Sequence, residues 1–147
     1  MIRKILLAYD GSASSMAALE FALDLARRYG ARLDVLGVVR PPEFGDDVET
    51  EAWVERSQQQ LRNIMQPVKA RAAREGVPYE VEIAVGHPAE QIVRYAEGHD
   101  IDHIVVGHRG HTLFERWLIG SVARQVIAYA NCAVTVVRPA SKSAKKG

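Results

Sequence analysis

The chain has 147 residues, 48% of them hydrophobic and 25% charged, with a formal net charge of +1. That length fits one domain with a sizeable core, and so small a net charge gives no global field to select nucleic acid or an acidic surface. No apolar run approaches the about 18–20 residues a membrane helix needs, the N-terminal Met1–Leu7 is too short for a signal peptide, and the lone Cys132 rules out an intrachain disulfide. A soluble protein of a reducing, cytoplasmic compartment is expected, without nucleic-acid or membrane partners.

Ile2 to Tyr9 reads as a first strand, ending in the turn-and-cap cluster Asp10-Gly11-Ser12. From about Ser14 to Tyr29, Met16, Leu19, Leu23 and Ala26 recur at helical spacing, and Gly30 stops the helix. Leu33 to Val39 is a second strand, closed by Pro41-Pro42, and the polar stretch 43–50 reads as a loop. A long helical pattern covers about Glu51 to Glu75, with Trp53, Leu61, Ile64, Met65 and Val68 as candidate core positions. Pro67 inside it is expected to kink or divide the helix, because proline lacks an N–H and clashes with the preceding turn.

Tyr79 to Val85 alternates apolar and polar residues, as a strand near a sheet edge does. Pro88 opens a helix that runs to about Glu97, His103 to Val106 is a fourth strand, about Ser121 to Ala130 a last helix, and Ala133 to Val137 a fifth strand. Strict alternation of short apolar strands and helices predicts an α/β fold: one open parallel sheet with helices on both faces. Ligands of such sheets bind outside the carboxyl ends of the strands, where Asp10, Val38 and Gly107 fall. The folded domain is expected over 1–139. The tail 140–147, with Lys142, Lys145 and Lys146, reads as disordered and basic.

The most informative segment is Gly107-His108-Arg109-Gly110, followed after nine residues by Gly120-Ser121. It joins an apolar strand to a helix start. A helix N-terminus has free N–H donors and partial positive charge, so it stabilises an anion. Glycine lets backbone approach phosphate oxygens with no Cβ in the way, and Ser121 adds a hydroxyl at an N-cap or N1 position. Asp10 has two readings: a cap for the first helix, or an acceptor for the ribose or base of a nucleotide. A P-loop and a Gly-x-Gly-x-x-Gly turn are both absent. Cys132, among Ala130, Asn131, Ala133 and Val134, reads as a structural thiol rather than a nucleophile.

With these residues in place, the chain resembles the universal stress protein family in its ATP-binding branch. Gly107, Gly110, Gly120 and Ser121 match the signature Gly-x2-Gly-x9-Gly-(Ser/Thr) without a gap, and family-like stretches run from Ile5 to Pro139. The resemblance implies a Rossmann-like, five-stranded parallel sheet of order 3-2-1-4-5 and a homodimer. It puts Ala8 and Asp10 at the adenosine and Val38 against the adenine. Gly107, Arg109, Gly110, Gly120, Ser121 and Val122 would surround the ribose and phosphates.

Three functions compete. The leading one is a regulatory protein that holds ATP or AMP, with magnesium or manganese carried by the phosphates rather than by a protein cage. The second is a slow ATP hydrolase using the same site, although no carboxylate pair is evident. A receiver-type phospho-acceptor ranks last, because Gly86-His87 stands where the acceptor aspartate would be. A dimeric interaction module without nucleotide is disfavoured by the intact signature. The last strand, apolar and free of charge and proline, is the expected dimer edge.

Overall fold

The computed structural model describes residues 1–43, 48–109 and 119–139. In chain order the elements are β1 (Lys4–Ala8), α1 (Ala13–Tyr29), β2 (Arg32–Val39), α2 (Val48–Arg74), β3 (Tyr79–Val85), α3 (Pro88–Gly98), β4 (His103–Gly107), α4 (Ser121–Tyr129) and β5 (Ala133–Val137). The strands form one parallel sheet in the order β3-β2-β1-β4-β5. The expected architecture is therefore the observed one. The tail 140–147 lies outside the described residues.

The two-residue alternation of β1 and β2 divides the core into two layers. Ile5, Leu7, Leu33 and Val35 face α1 and α2, whereas Leu6 and Leu36 join Ile104 and Val106 of β4 against α3 and α4. Central strands buried on both faces read as unbroken apolar runs, which is why they were conspicuous in the sequence. The two edges differ. β3 exposes Glu80 and Glu82, whereas β5 (Ala-Val-Thr-Val-Val) carries no charge.

α1 lies unusually close to the sheet. Its buried face is built of small residues, Ser14, Ser15, Ala18, Ala22 and Ala26, with Leu19 and Leu23 between them. A Cβ on Gly107 would come within 2.6 Å of Ser14 Cβ and 2.7 Å of Ser14 carbonyl carbon. The space a side chain would need at Gly107 is thus filled by the backbone of the first turn of α1. Gly37 plays a similar part under α2, where a Cβ would meet Leu61 and Met65 side chains.

Several local expectations need correction. Met16 is 53% exposed, because close packing reserves the buried stripe of α1 for small residues. In α2 the buried residues are Leu61, Met65, Val68 and Ala72; Trp53 (37% exposed) and Ile64 (41%) lie off that stripe. Ile64 instead covers Gly11, whose φ of +81° makes the turn before α1. α2 begins at Val48, inside the stretch expected to be loop, and continues undivided through Pro67. Pro67 is on the exposed side of α2, where water can take up the carbonyl that loses its N–H partner.

Asp34 is a buried carboxylate on β2, held by Arg32 Nε and the Tyr95 hydroxyl, each at 2.8 Å. Burial, and then the hydrogen bond to Asp34, raise the Tyr95 pKa, so the phenol stays protonated as a donor. This pair ties α3 to the sheet near its amino end, far along β2 from Val38.

Candidate functional site

At the carboxyl ends of β1, β2 and β4 lies a cavity of about 490 Å³, within the size range of small-ligand sites. Ala8, Asp10, Val38, Gly107, Arg109, Gly120, Ser121 and Val122 all line it. The structure thus brings together every predicted site residue except Gly110, which lies outside the described residues. A second cavity, about 500 Å³, opens between α3 and α4 along His87, Glu90, Arg94, Gln125 and Tyr129. None of the predicted residues lines it.

The walls of the first cavity are chemically divided. Ala8, Leu36, Val38, Ile92, Val106 and Ile119 offer an apolar surface. Arg109, Ser121 and Arg124 give a cationic, hydroxylated one. Arg40, at the end of β2, lies beside Val38 and also lines the cavity. Arg40, Arg124, Leu36, Ile92 and Ile119 were missed by the sequence reading. Their signal was proximity to a strand end or helix start, which is visible only once the sheet order joins them.

Three helix N-termini border the cavity: α3 meets it at Pro88, which has no N–H to offer, and α1 and α4 differ. α1 is sealed: Ser12 is its N-cap, and its Oγ accepts a hydrogen bond from Ser15 N–H at 3.2 Å. Asp10 is therefore not the cap. Its Oδ1 accepts from Ser12 N–H at 2.9 Å, an Asx turn that presents the cap residue, while Asp10 itself lines the cavity. α4 is open at its start. Its N-cap is Gly120, which makes no side-chain cap hydrogen bond, with Ser121 at N1. The first-turn amides of α4 have no acceptor within their own helix, which suits an anion.

The Gly120 φ of −62° is accessible to any residue, so backbone conformation does not require glycine there. Gly107 is different from expectation. Its missing Cβ accommodates α1, as described above, so packing alone requires a glycine there.

His108 lies between two residues that line the cavity but does not itself line it. It is 4% exposed, and its Nδ1 is 3.1 Å from Ser14 Oγ. Its N–H donates to the Val137 carbonyl at 2.9 Å, and its carbonyl accepts from Gly120 N–H at 2.6 Å. Burial, then the Arg109 and Arg138 charges, lower the His108 pKa. His103, whose Nε2 is 2.6 Å from Thr135 Oγ1, is lowered by burial too. Cys132 is partly buried, and burial raises its thiol pKa, the opposite of an activated nucleophile.

A family model for the universal stress protein family matches residues 1–138. The chain belongs to that family. A universal stress protein of Methanocaldococcus jannaschii is 35% identical over 149 residues, covering 97% of this chain and 85% of that one. The solved structure of universal stress protein UspA from Lactobacillus plantarum has a TM-score of 0.87 at 27% identity, over 93% of this chain and 98% of that one. Two more distant structures share the fold. One is a universal stress protein in complex with cAMP (TM-score 0.74, 23% identity, covering 95% of this chain and 99% of that one). The other is an Arabidopsis thaliana family protein with AMP bound (TM-score 0.70, 18% identity, covering 96% and 94%). Among the described residues no helix is long and apolar enough to cross a membrane.

The two lowered histidines set the sign of an acid effect. From their depressed folded pKa values up to the ordinary 6.5, the unfolded chain binds more protons than the folded one. Stability therefore falls as pH drops below about 6.5. Thermal unfolding should show a lower Tm at pH 5.5 than at pH 7.5, and the doubly substituted His103→Gln/His108→Asn protein should lose less over that interval. An equal loss in both proteins would show that other groups carry the effect.

Proposed function

We propose that this family member is a nucleotide-responsive regulatory protein that holds ATP, and more weakly AMP, in the cavity at the carboxyl ends of the strands. The observation that carries this reading is the convergence of an apolar wall, the Asp10 carboxylate and the uncapped start of α4 on one cavity. The adenine lies against Val38 and Leu36, with Ala8 and Asp10 at the ribose. The phosphates lie at Gly107, Arg109, Gly110, Gly120, Ser121 and Val122. Relatives of the same fold with AMP or cAMP bound add support for an adenine nucleotide.

Arg40, Arg109 and Arg124 beside a single carboxylate favour a polyphosphate over a monophosphate. Magnesium or manganese would accompany the phosphates, with the Ser121 hydroxyl available as a ligand. Among the described residues there is no cluster of acidic, histidine or cysteine side chains fit to hold a metal alone. Regulation is favoured over hydrolysis because Asp10 is the sole carboxylate among the described lining residues, and its Oδ1 is engaged by the Ser12 amide. A lone cysteine and an adenine-nucleotide ligand fit the cytoplasm.

Calorimetric titration with adenosine, AMP and ATP–magnesium tests the site. Asp10→Ala should weaken all three by similar factors, on the order of tenfold to a hundredfold, as expected for losing a hydrogen bond to a charged acceptor. Arg124→Ala should weaken ATP by about fivefold and leave adenosine unchanged. Gly110→Val should abolish ATP binding, and normal ATP affinity in that variant would defeat the phosphate-loop assignment.

We also propose a homodimer paired through β5. The strand is a sheet edge without charge or proline. Sedimentation at micromolar concentration should give twice the monomer mass, and Val136→Lys should give the monomer; a wild-type monomer would refute the pairing.

A further inference from the structure

We infer that His108 is a positioning residue for the phosphate end of the cavity, acting through Ser14 and never touching the nucleotide. The inference rests on the nucleotide reading above. It starts from the alternation of the chain after β4: Gly107 and Arg109 line the cavity, while His108 between them is turned to the α1 side.

Three contacts make His108 the junction of the site. Its side chain meets Ser14 in the first turn of α1, its N–H meets Val137 at the end of β5, and its carbonyl receives the Gly120 amide at the start of α4. Gly120 and Ser121 open α4 and line the cavity. The His108 carbonyl thus ties the start of α4 directly to the residue that follows Gly107. That peptide unit is in turn held by an imidazole that cannot move, because the ring is buried and bonded to a hydroxyl on a helix packed against Gly107 backbone. Buried polar pairs of this kind specify geometry strongly, since breaking one leaves its partner without a hydrogen bond in a dry site. Holding donors in place before the ligand arrives raises affinity by reducing the ordering that binding requires.

The role separates from plain stability by its selectivity. Adenosine uses the Ala8, Asp10 and Val38 end of the cavity, which His108 does not hold. ATP uses both ends. Truncating His108 should therefore weaken ATP at least tenfold and adenosine less than twofold. His108→Asn, whose amide can reproduce the bond made by Nδ1, should recover most of the loss. Ser14→Ala, which removes a single hydroxyl and leaves the imidazole in place, should weaken ATP by several-fold and likewise spare adenosine.

The experiment is a calorimetric titration of ATP–magnesium and of adenosine into wild type, His108→Ala, His108→Asn and Ser14→Ala. It is paired with amide hydrogen exchange at Gly120 in the ligand-free proteins. The expected result is selective loss of ATP affinity in His108→Ala and Ser14→Ala, recovery in His108→Asn, and faster Gly120 exchange wherever ATP affinity falls. Equal weakening of both ligands, or unchanged ATP affinity in both Ser14→Ala and His108→Ala, would overturn the inference while leaving the nucleotide site intact. If His108→Ala does not fold, Ser14→Ala with His108→Asn decides by the same readouts. Failure of the wild type to bind either ligand would overturn the nucleotide reading, and with it this one.

Discussion

The contact on which the site depends is the one between the first turn of α1 and the last residue of β4. Gly107 has no side chain, so the Ser14 backbone occupies the place a Cβ would take. That approach draws the β1–α1 turn and the β4 end to the same side of the sheet, where β1 is flanked by β2 and β4. The cavity is the crevice that remains. A larger residue at 107 would push α1 outward, and the small-residue face of α1 would then pack against nothing of its own depth. A glycine of the phosphate signature thus has a packing duty that precedes any ligand.

Around that contact, electrostatics distinguishes two helices that are geometrically alike. Both α1 and α4 begin at the cavity. The Ser12 hydroxyl takes the Ser15 amide in the first turn of α1, and Asp10 spends an oxygen on the Ser12 amide, so the chain itself caps that end. α4 starts at Gly120, whose lack of a side chain gives no N-cap hydrogen bond, and Arg109 and Arg124 line the same cavity. The cavity therefore joins the Asp10 carboxylate and the Ala8, Leu36 and Val38 wall to the start of α4 with Arg109 and Arg124, and Arg40 adds a third guanidinium beside Val38.

Much of this was legible in the sequence. The central strands show as apolar runs because both faces are covered, and the charged edge β3 shows as an alternation. Asp10, Gly120 and Ser121 could be placed because cap residues and strand ends are local features. What was not legible depends on distance in space. Trp53 and Ile64 have helical spacing that fits a core stripe, yet the stripe is set by where α2 meets β2 at Gly37. Arg40 and Arg124 are unremarkable surface arginines until β1 and β4 prove to be neighbours. The Ser14–His108 pair spans 94 residues of chain, and only the folded sheet brings the two together. The helix is not divided at Pro67 because its exposed position lets water satisfy what the helix loses.

The central claim is that one cavity at the strand ends receives a nucleotide with its phosphates toward α4. Amide hydrogen exchange of the wild-type protein, with and without saturating ATP–magnesium, tests it most directly. The account predicts slowed exchange at 8–12, 36–40, 107–109 and 119–124, with α2 and the outer groove between α3 and α4 unchanged. Protection confined to that outer groove, or no change at 119–124 under saturating ATP, would contradict it.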